Sequence, residues 1–198
     1  MSASPDVRAA DDALDFELTP FGAYRFGGEF AVTGTDQTLQ IADSPSYGLL
    51  LNFRQLANTQ WEVLYSRQQT DASAIGAPVN SAAVDLDIQV LQGGGTYQGD
   101  GDTVRPYLAA TLGGTHMKAT SNGSESDTFF SFSLGLGLQI RPTERLGLRL
   151  EARGYGTLTD SKTNLFCETG PDQNVCAIRI DGNVLWQFET LVGVVFRF

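Results

Sequence analysis

The sequence contains no run of about 18 apolar residues, so it holds no transmembrane helix. Histidine occurs once, at His116, which excludes any multi-histidine metal site. Cysteine occurs twice, at Cys167 and Cys176, and the pair lacks CxxC spacing. P-loop, HExxH and GxSxG signatures are missing, so no motif names a reaction or a cofactor. Lysine is confined to Lys118 and Lys162; every other basic residue is arginine, the side chain favoured for bidentate carboxylate pairs away from water. The formal charge is −10, which argues against nucleic acid as a partner. Residues 1–15, MSASPDVRAADDALD, lack a basic segment followed by an apolar one. No secretory signal peptide is read there, and an exported protein would be numbered from a mature or engineered start.

What is present suits a sheet: 22 glycines, 12 phenylalanines, and hydrophobic residues at 41%. The stretch Val184–Phe198, VLWQFETLVGVVFRF, carries the clearest pattern. Trp186, Phe188, Thr190, Val192, Val194, Phe196 and Phe198 share one face at a spacing of two. Gln187, Glu189, Leu191, Gly193, Val195 and Arg197 share the other. Strict alternation signals a strand, because successive Cβ atoms point to opposite faces. The run exceeds the five or six residues usual for a soluble strand. It matches the roughly nine to eleven of a tilted membrane-spanning strand, apolar toward lipid and polar toward the lumen.

A last strand closing on aromatic-x-aromatic, here Phe196-Arg197-Phe198, resembles the final strand of bacterial outer-membrane β-barrels. The resemblance implies that Phe196 and Phe198 form the signal read by the barrel-assembly machinery. It extends to the small OmpA-like and OmpW-like group over about Phe16–Phe198.

Similar alternation recurs along the chain. Strands are predicted at Glu17–Phe30, Tyr47–Gln55, Gln60–Gln68, Ala83–Tyr97, Val104–His116, Phe129–Arg141, Leu146–Leu158 and Val184–Phe198. Within Ala83–Tyr97, Val84, Leu86, Ile88 and Val90 are assigned outward and Asp85 and Asp87 inward. Tyr97 then falls on the wrong face, so a bulge is expected at Gly93-Gly94-Gly95. Connections alternate between long and short, as in an up-and-down barrel with its long loops at one end. The fold class is therefore all-β: a single up-and-down antiparallel transmembrane β-barrel of about eight strands over residues 16–198, preceded by a flexible periplasmic leader, residues 1–15.

The inward faces collect Arg25, Arg54, Glu62, Asp85, Asp87, Arg141, Arg149, Glu151, Arg153, Glu189 and Arg197, with Glu29. An eight-stranded barrel is only wide enough for side chains to fill. Charges inside it must pair, because an unpaired buried charge costs several kcal/mol. The near balance of signs predicts an ionic network that plugs the lumen; the alternative is a polar path for ions or small solutes. Gly135 and Gly137 face inward, making room for large neighbours such as Tyr155 or leaving a cavity. Tyr24, Tyr47, Trp61, Tyr65 and Trp186 are expected to form the aromatic girdle.

Cys167 and Cys176 would form a disulfide in an oxidising compartment. His116 beside Ser121, Ser124 and Asp127 has the residue types of a rim hydrolase, but a surface histidine explains it more simply. Asp85 and Asp87 share a face, as acid/base carboxylates do, though pairing with arginines accounts for them more cheaply. Asn122-Gly123 is a turn signal, although Asn122-Gly123-Ser124 also matches a glycosylation sequon. Asp160, Glu168, Asp172 and Asp181 are read as solvated loop acids.

The resemblance implies the bacterial outer membrane as location. It implies outer-membrane lipids, lipopolysaccharide and the assembly machinery as partners, with other envelope proteins a further class. No cofactor and no enzymatic activity are expected. The leading functional expectation is a structural or surface-interaction role with long loops as contact surface. The alternative is OmpW-like passage of small hydrophobic molecules or ions. A soluble ligand-binding calyx is the third reading, disfavoured because one face is too continuously apolar for water.

Overall fold

The computed structural model describes residues 16–31, 38–75, 84–101, 103–119, 126–159, 167–169, 174–176 and 184–198. The expected leader, residues 1–15, lies outside them. Twelve strands follow in order: β1 (Phe16–Phe26), β2 (Glu29–Ala31), β3 (Thr38–Ile41), β4 (Ser44–Leu56), β5 (Thr59–Ile75), β6 (Val84–Gln98), β7 (Val104–Ala119), β8 (Ser126–Ile140), β9 (Leu146–Leu158), β10 (Cys167–Thr169), β11 (Asn174–Cys176) and β12 (Val184–Arg197).

Eight of these close into an antiparallel barrel: β1, β4 to β9, and β12. The sheet runs β5-β4-β1-β12-β9-β8-β7-β6, and β5 pairs with β6 to complete the ring. Closure abolishes open edges in the ring, so each of its eight strands finds two neighbours for its backbone groups. The last strand joins the first, with Leu18 opposite Phe196 and Tyr24 opposite Thr190. Along β12 exposure alternates at nearly every residue, as its sequence pattern requires.

One end of the barrel carries only short turns: 57–58, 99–103 and 141–145. The other end carries the long connections. There the chain departs from the sequence-based expectation that the first strand runs to Phe30. Gly27 and Gly28 adopt φ of 81° and 121°, left-handed values that favour glycine, and they end β1 at Phe26. A Cβ at Gly28 would press on Ile41 and Leu185 at 3.2–3.4 Å. The chain instead turns into the hairpin β2–β3, and β3 ladders onto the upper end of β5, with Ile41 opposite Ala72.

The expected bulge at Gly93–Gly95 is absent. The ladders of β6 to β5 and β7 run through these glycines without a shift. The irregularity lies instead in the β4–β5 ladder, between Arg54 and Leu56, where the strand enters a tight turn. The apparent slip in β6 came from placing its apolar residues outward. In the folded chain Leu86, Ile88 and Val90 point inward, and the same parity carries Gln92, Thr96 and Gln98 inside and Leu91 and Tyr97 outside.

The outer wall carries a broad apolar belt. Leu91, Leu108, Leu134 and Leu136 are each 60% exposed or more. Soluble monomers rarely expose contiguous apolar patches beyond a few hundred Å², so a belt around the whole barrel calls for lipid. Aromatic side chains gather toward its two margins. Phe16 packs on Phe53 and Phe198 at the short-turn end (ring centroids 5.3 and 6.0 Å). Toward the other end Phe132 meets Trp186 edge-on at 5.6 Å, and Tyr24 lies 6.0 Å from Phe26. Tyr24, Tyr47, Trp61, Tyr65 and Trp186 all point outward, with Trp61 beside the β4–β5 turn.

Candidate functional site: the charged lumen

Three consecutive inward positions of β9 define the centre of the lumen: Arg149, Glu151 and Arg153. Across the barrel, Glu62 of β5 meets both arginines. Its two carboxylate oxygens lie 2.7 Å from Arg149 Nη2 and 2.7 Å from Arg153 Nη2. Glu151 also bridges both, with one oxygen 2.8 Å from Arg149 Nη2 and the other accepting from Arg153 Nε. Two acids and two bases thus form a closed ring of four ion pairs, each residue 5% exposed or less. Tyr107 completes it. Its hydroxyl donates to Glu151 at 2.6 Å and accepts from Arg149 Nε at 2.8 Å, and the Arg149 guanidinium stacks over its ring at 4.5 Å. Asn52 donates to Glu62 and accepts from Arg149, each at 3.1 Å. Ser133 and Thr111 accept from Arg153 Nη1. Buried guanidinium–carboxylate pairs hold only when the remaining donors and acceptors are also satisfied.

A second cluster sits nearer the long loops. Arg25 Nη2 lies 2.8 Å from Glu189, and its guanidinium stacks 4.4 Å above the Tyr155 ring. Ser46 and Tyr155 both donate to Glu189, at 2.6 and 2.8 Å, and Ser66 accepts from Arg25 at 2.7 Å. Beyond it, the long-loop end of the lumen turns apolar. Ile41, Leu86, Ile88, Met117 and Leu185 are each 3% exposed or less and pack as one cluster.

The third cluster is the short-turn mouth. Glu17 holds Arg197 at 2.9 Å and accepts from Gln139 at 3.0 Å. Arg141 reaches Glu17 only at 3.8 Å. Its Nη2 donates to Gln98 and Gln139, at 2.9 and 3.0 Å. Burial and the nearby Arg197, Arg105 and Arg54 draw the Arg141 guanidinium down to about 10, against the lesser pull of Glu17.

The structure therefore brings Arg25, Glu62, Arg149, Glu151, Arg153 and Glu189 into two buried clusters, and Arg141 and Arg197 to the mouth. Three members of the expected set lie elsewhere. Arg54 is exposed at the short-turn end, past the point where the wall gives way to water. Asp85 and Asp87 point outward, not inward. Asp85 faces Asp71 across the β5–β6 ladder, and Asp87 pairs with Arg67 through Nε at 3.1 Å on the outer surface. The physical reason is height: at the long-loop end β5 and β6 stand above the apolar belt, so water lies outside and the apolar faces turn in. The side chain of Glu29 lies outside the described residues.

Glu17 and Tyr107 were missed. Glu17 shares parity with Arg25, but Phe21 on the same face masked the signal. Gly135 and Gly137 do make room, though not for Tyr155: a Cβ at Gly135 would collide with Glu151, and one at Gly137 with the Tyr107 hydroxyl. His116 sits on the outer face, its Nδ1 3.0 Å from Thr128 Oγ1. Ser121, Ser124 and the sequon lie outside the described residues, as do Asp160, Asp172 and Asp181. The side chain of Glu168 is likewise undescribed. Among the described residues no group of three or more His, Cys, Asp or Glu side chains could hold a metal ion.

A closed antiparallel barrel with an apolar outer belt and a charged interior defines an integral β-barrel membrane protein. The chain belongs to the outer membrane protein beta-barrel domain family, whose model matches residues 9–198. No curated protein matches the sequence. Solved structures of similar fold include Neisserial surface protein A (16% identity, 92% of this chain and 97% of that one, TM-score 0.63). Another is the outer membrane protein OprG from Pseudomonas aeruginosa (11% identity, 94% and 96%, TM-score 0.56). A third is the N-terminal β-barrel domain of OprF from Pseudomonas aeruginosa (16% identity, 93% and 97%, TM-score 0.52). At such identities the likeness concerns the fold alone.

Proposed function

We propose that this is a closed outer-membrane barrel whose role is structural or surface-interacting, with the long loops as its contact surface. One observation supports the reading: two layers of buried side chains lie across the lumen. The paired ring of Glu62, Arg149, Glu151 and Arg153 lies at mid-height, and the apolar cluster around Ile88 and Met117 lies toward the loops. Ions would have to break paired charges and then pass the apolar side chains around Ile88 and Met117. The partners that fit are outer-membrane lipid and lipopolysaccharide at the belt, other envelope proteins at the loops, and the assembly machinery at Phe196 and Phe198. Purified barrel inserted in planar bilayers is expected to show no steady single-channel current. A stable, reproducible conductance step would overturn the closed-lumen reading in favour of solute passage.

Passage of small hydrophobic molecules is the second reading, favoured by the apolar lining of the upper lumen. A gap in the wall near the loops would favour it further, but Gly113 and Gly114 of β7 both pair in register with β6 and β8.

Cys167 and Cys176 sit directly opposite each other in the β10–β11 ladder. Facing residues of an antiparallel pair have Cα atoms about 4.5–5.5 Å apart, within the range a disulfide spans. The reading includes this disulfide in the mature exported protein. Thiol titration of the denatured, unreduced protein is expected to find no reactive thiol, and two after reduction. Two thiols before reduction would refute it.

A further inference from the structure

We infer that Asp71 and Asp85 form a proton-operated latch at the long-loop end of β5 and β6, closed by a shared proton in acid and opened by charge repulsion near neutrality. The latch goes beyond the surface-interaction reading and does not rest on it, since it concerns strand pairing and not what the loops touch. The two aspartates face each other directly across the ladder on the outer surface, and both are exposed. Only one rung, Ala72 opposite Val84, lies above them. The two strands are held unequally there. β5 runs on to Ile75 against β3, and its Asp71 carbonyl accepts from Ala42 N at 2.8 Å. Among the described residues the β6–β7 ladder begins at Leu86 opposite Ala119, so Val84 and Asp85 pair with β5 alone. The start of β6 is therefore the part that the latch holds or releases.

Among the described residues no cation pairs with either carboxyl. On β5, Arg67 is engaged with Asp87, the next outward residue of β6. On β7, Lys118 stands opposite Asp87, not Asp85. Between β3 and β4, Asp43 adds a further acid, which accepts from Gly27 N at 3.1 Å. The adjoining stretches of sequence add no cation: residues 76–83 contain no ionisable side chain, and residues 120–125 and 32–37 contain only Glu125 and Asp36. Two such carboxyls attract each other only through a proton. With one proton bound, Asp71 O–H donates to the Asp85 carboxylate and the rung carries a single charge. That hydrogen bond, ahead of the local loss of water and the Asp85 charge, holds the Asp71 carboxyl above the usual aspartate value. A group raised in this way contributes its bond fully below the ordinary value of about 3.9, and loses it as pH rises through the raised value. Above that both groups are ionised, and like charges directly opposite in a ladder repel. The pair stands above the apolar belt, where bulk water supplies and removes the proton.

The test uses the full chain refolded in an uncharged maltoside detergent, with EDTA present so that only protons compete for the carboxylates. Side-chain carbon resonances follow the titration of Asp71, and amide hydrogen exchange, corrected for its intrinsic pH dependence, follows the strand ends. Asp71 is expected to titrate above the usual aspartate range, and in Asp85→Asn to fall back to it or below. The rungs Asp71–Asp85 and Ala72–Val84 are expected to be about twofold to fivefold better protected at about pH 4 than at about pH 7, the range for one facing like-charge pair. The Leu64–Gln92 rung inside the belt is expected not to change. In Asp85→Asn the difference at the top rungs is expected to vanish. Folding is checked by the heat-sensitive gel shift; should Asp85→Asn not fold, Asp71→Asn serves, with exchange as its readout. An Asp71 titration at the ordinary value, equal protection at the two pH values, or a difference that survives in the asparagine variant overturns the latch. No loop partner enters the measurement, so its outcome is separate from that of the surface-interaction reading.

Discussion

Replacing Glu62 by alanine is expected to destabilise the barrel by about 3–5 kcal/mol, the range for removing one partner of a buried ion pair. Glu62 is 1% exposed and accepts from Arg149, Arg153 and Asn52 at once. Its loss leaves two guanidiniums sharing Glu151, and a net positive charge where no bulk water reaches. Tyr107 cannot compensate, because its hydroxyl is already fixed between Arg149 and Glu151. The comparison is Asp87→Asn on the outer surface. The Arg67 side chain is 34% exposed, and pairs of that kind contribute about 0–1 kcal/mol. Both variants are measured as urea midpoints of protein refolded in vesicles, read by the heat-sensitive gel shift. A Glu62→Ala midpoint as close to wild type as that of Asp87→Asn would mean that the ring does not hold the barrel together.

Much of this lumen is legible in the sequence. Arg149-x-Glu151-x-Arg153 places three charges on one face of a strand, and no soluble core would accept that face without partners. In β8, β9 and β12 the two faces are legible because small polar or charged residues mark one, while apolar runs such as Phe130, Phe132, Leu134 and Leu136 mark the other, and within the belt that apolar face turns outward. Which carboxylate answers which arginine is not legible. Glu62 and Arg149 lie far apart in the chain, and their meeting depends on how the ring closes between β5 and β6. The Gly27-Gly28 break was equally hidden, because glycines in an alternating run read as strand until their φ is known. Sidedness in β6 failed for a deeper reason. Alternation tells that two faces differ, but not which medium each one meets. In the belt, apolar means outward; above it, where water surrounds the barrel, apolar means inward.

The reversal in β6 makes an expected result that distinguishes the two assignments. Ile88 is fully buried against its apolar neighbours, so Ile88→Asp sets a carboxylate in a layer that offers it no cation. Its neighbours across the ladders, Gln68 and Met117, carry no positive charge. The buried carboxyl costs several kcal/mol even when it takes up a proton. The lost aliphatic packing adds to that, since truncating a buried isoleucine to alanine alone costs about 2–5 kcal/mol. Ile88→Asp is therefore expected to abolish the heat-sensitive shift or to lower the urea midpoint at least as far as Glu62→Ala. Asp85→Leu is expected to do almost the opposite. Asp85 is exposed and sits across from Asp71, and two like charges directly opposite in a ladder repel by about 0.2–1 kcal/mol. Removing one should leave stability unchanged or slightly higher. Were the acids inside and Ile88 facing out, Asp85→Leu would empty a lumen charge and Ile88→Asp would merely add an acid to a wet outer surface. A harmful Asp85→Leu beside a tolerated Ile88→Asp would thus invert β6, and with it the apolar cluster at the long-loop end of the lumen.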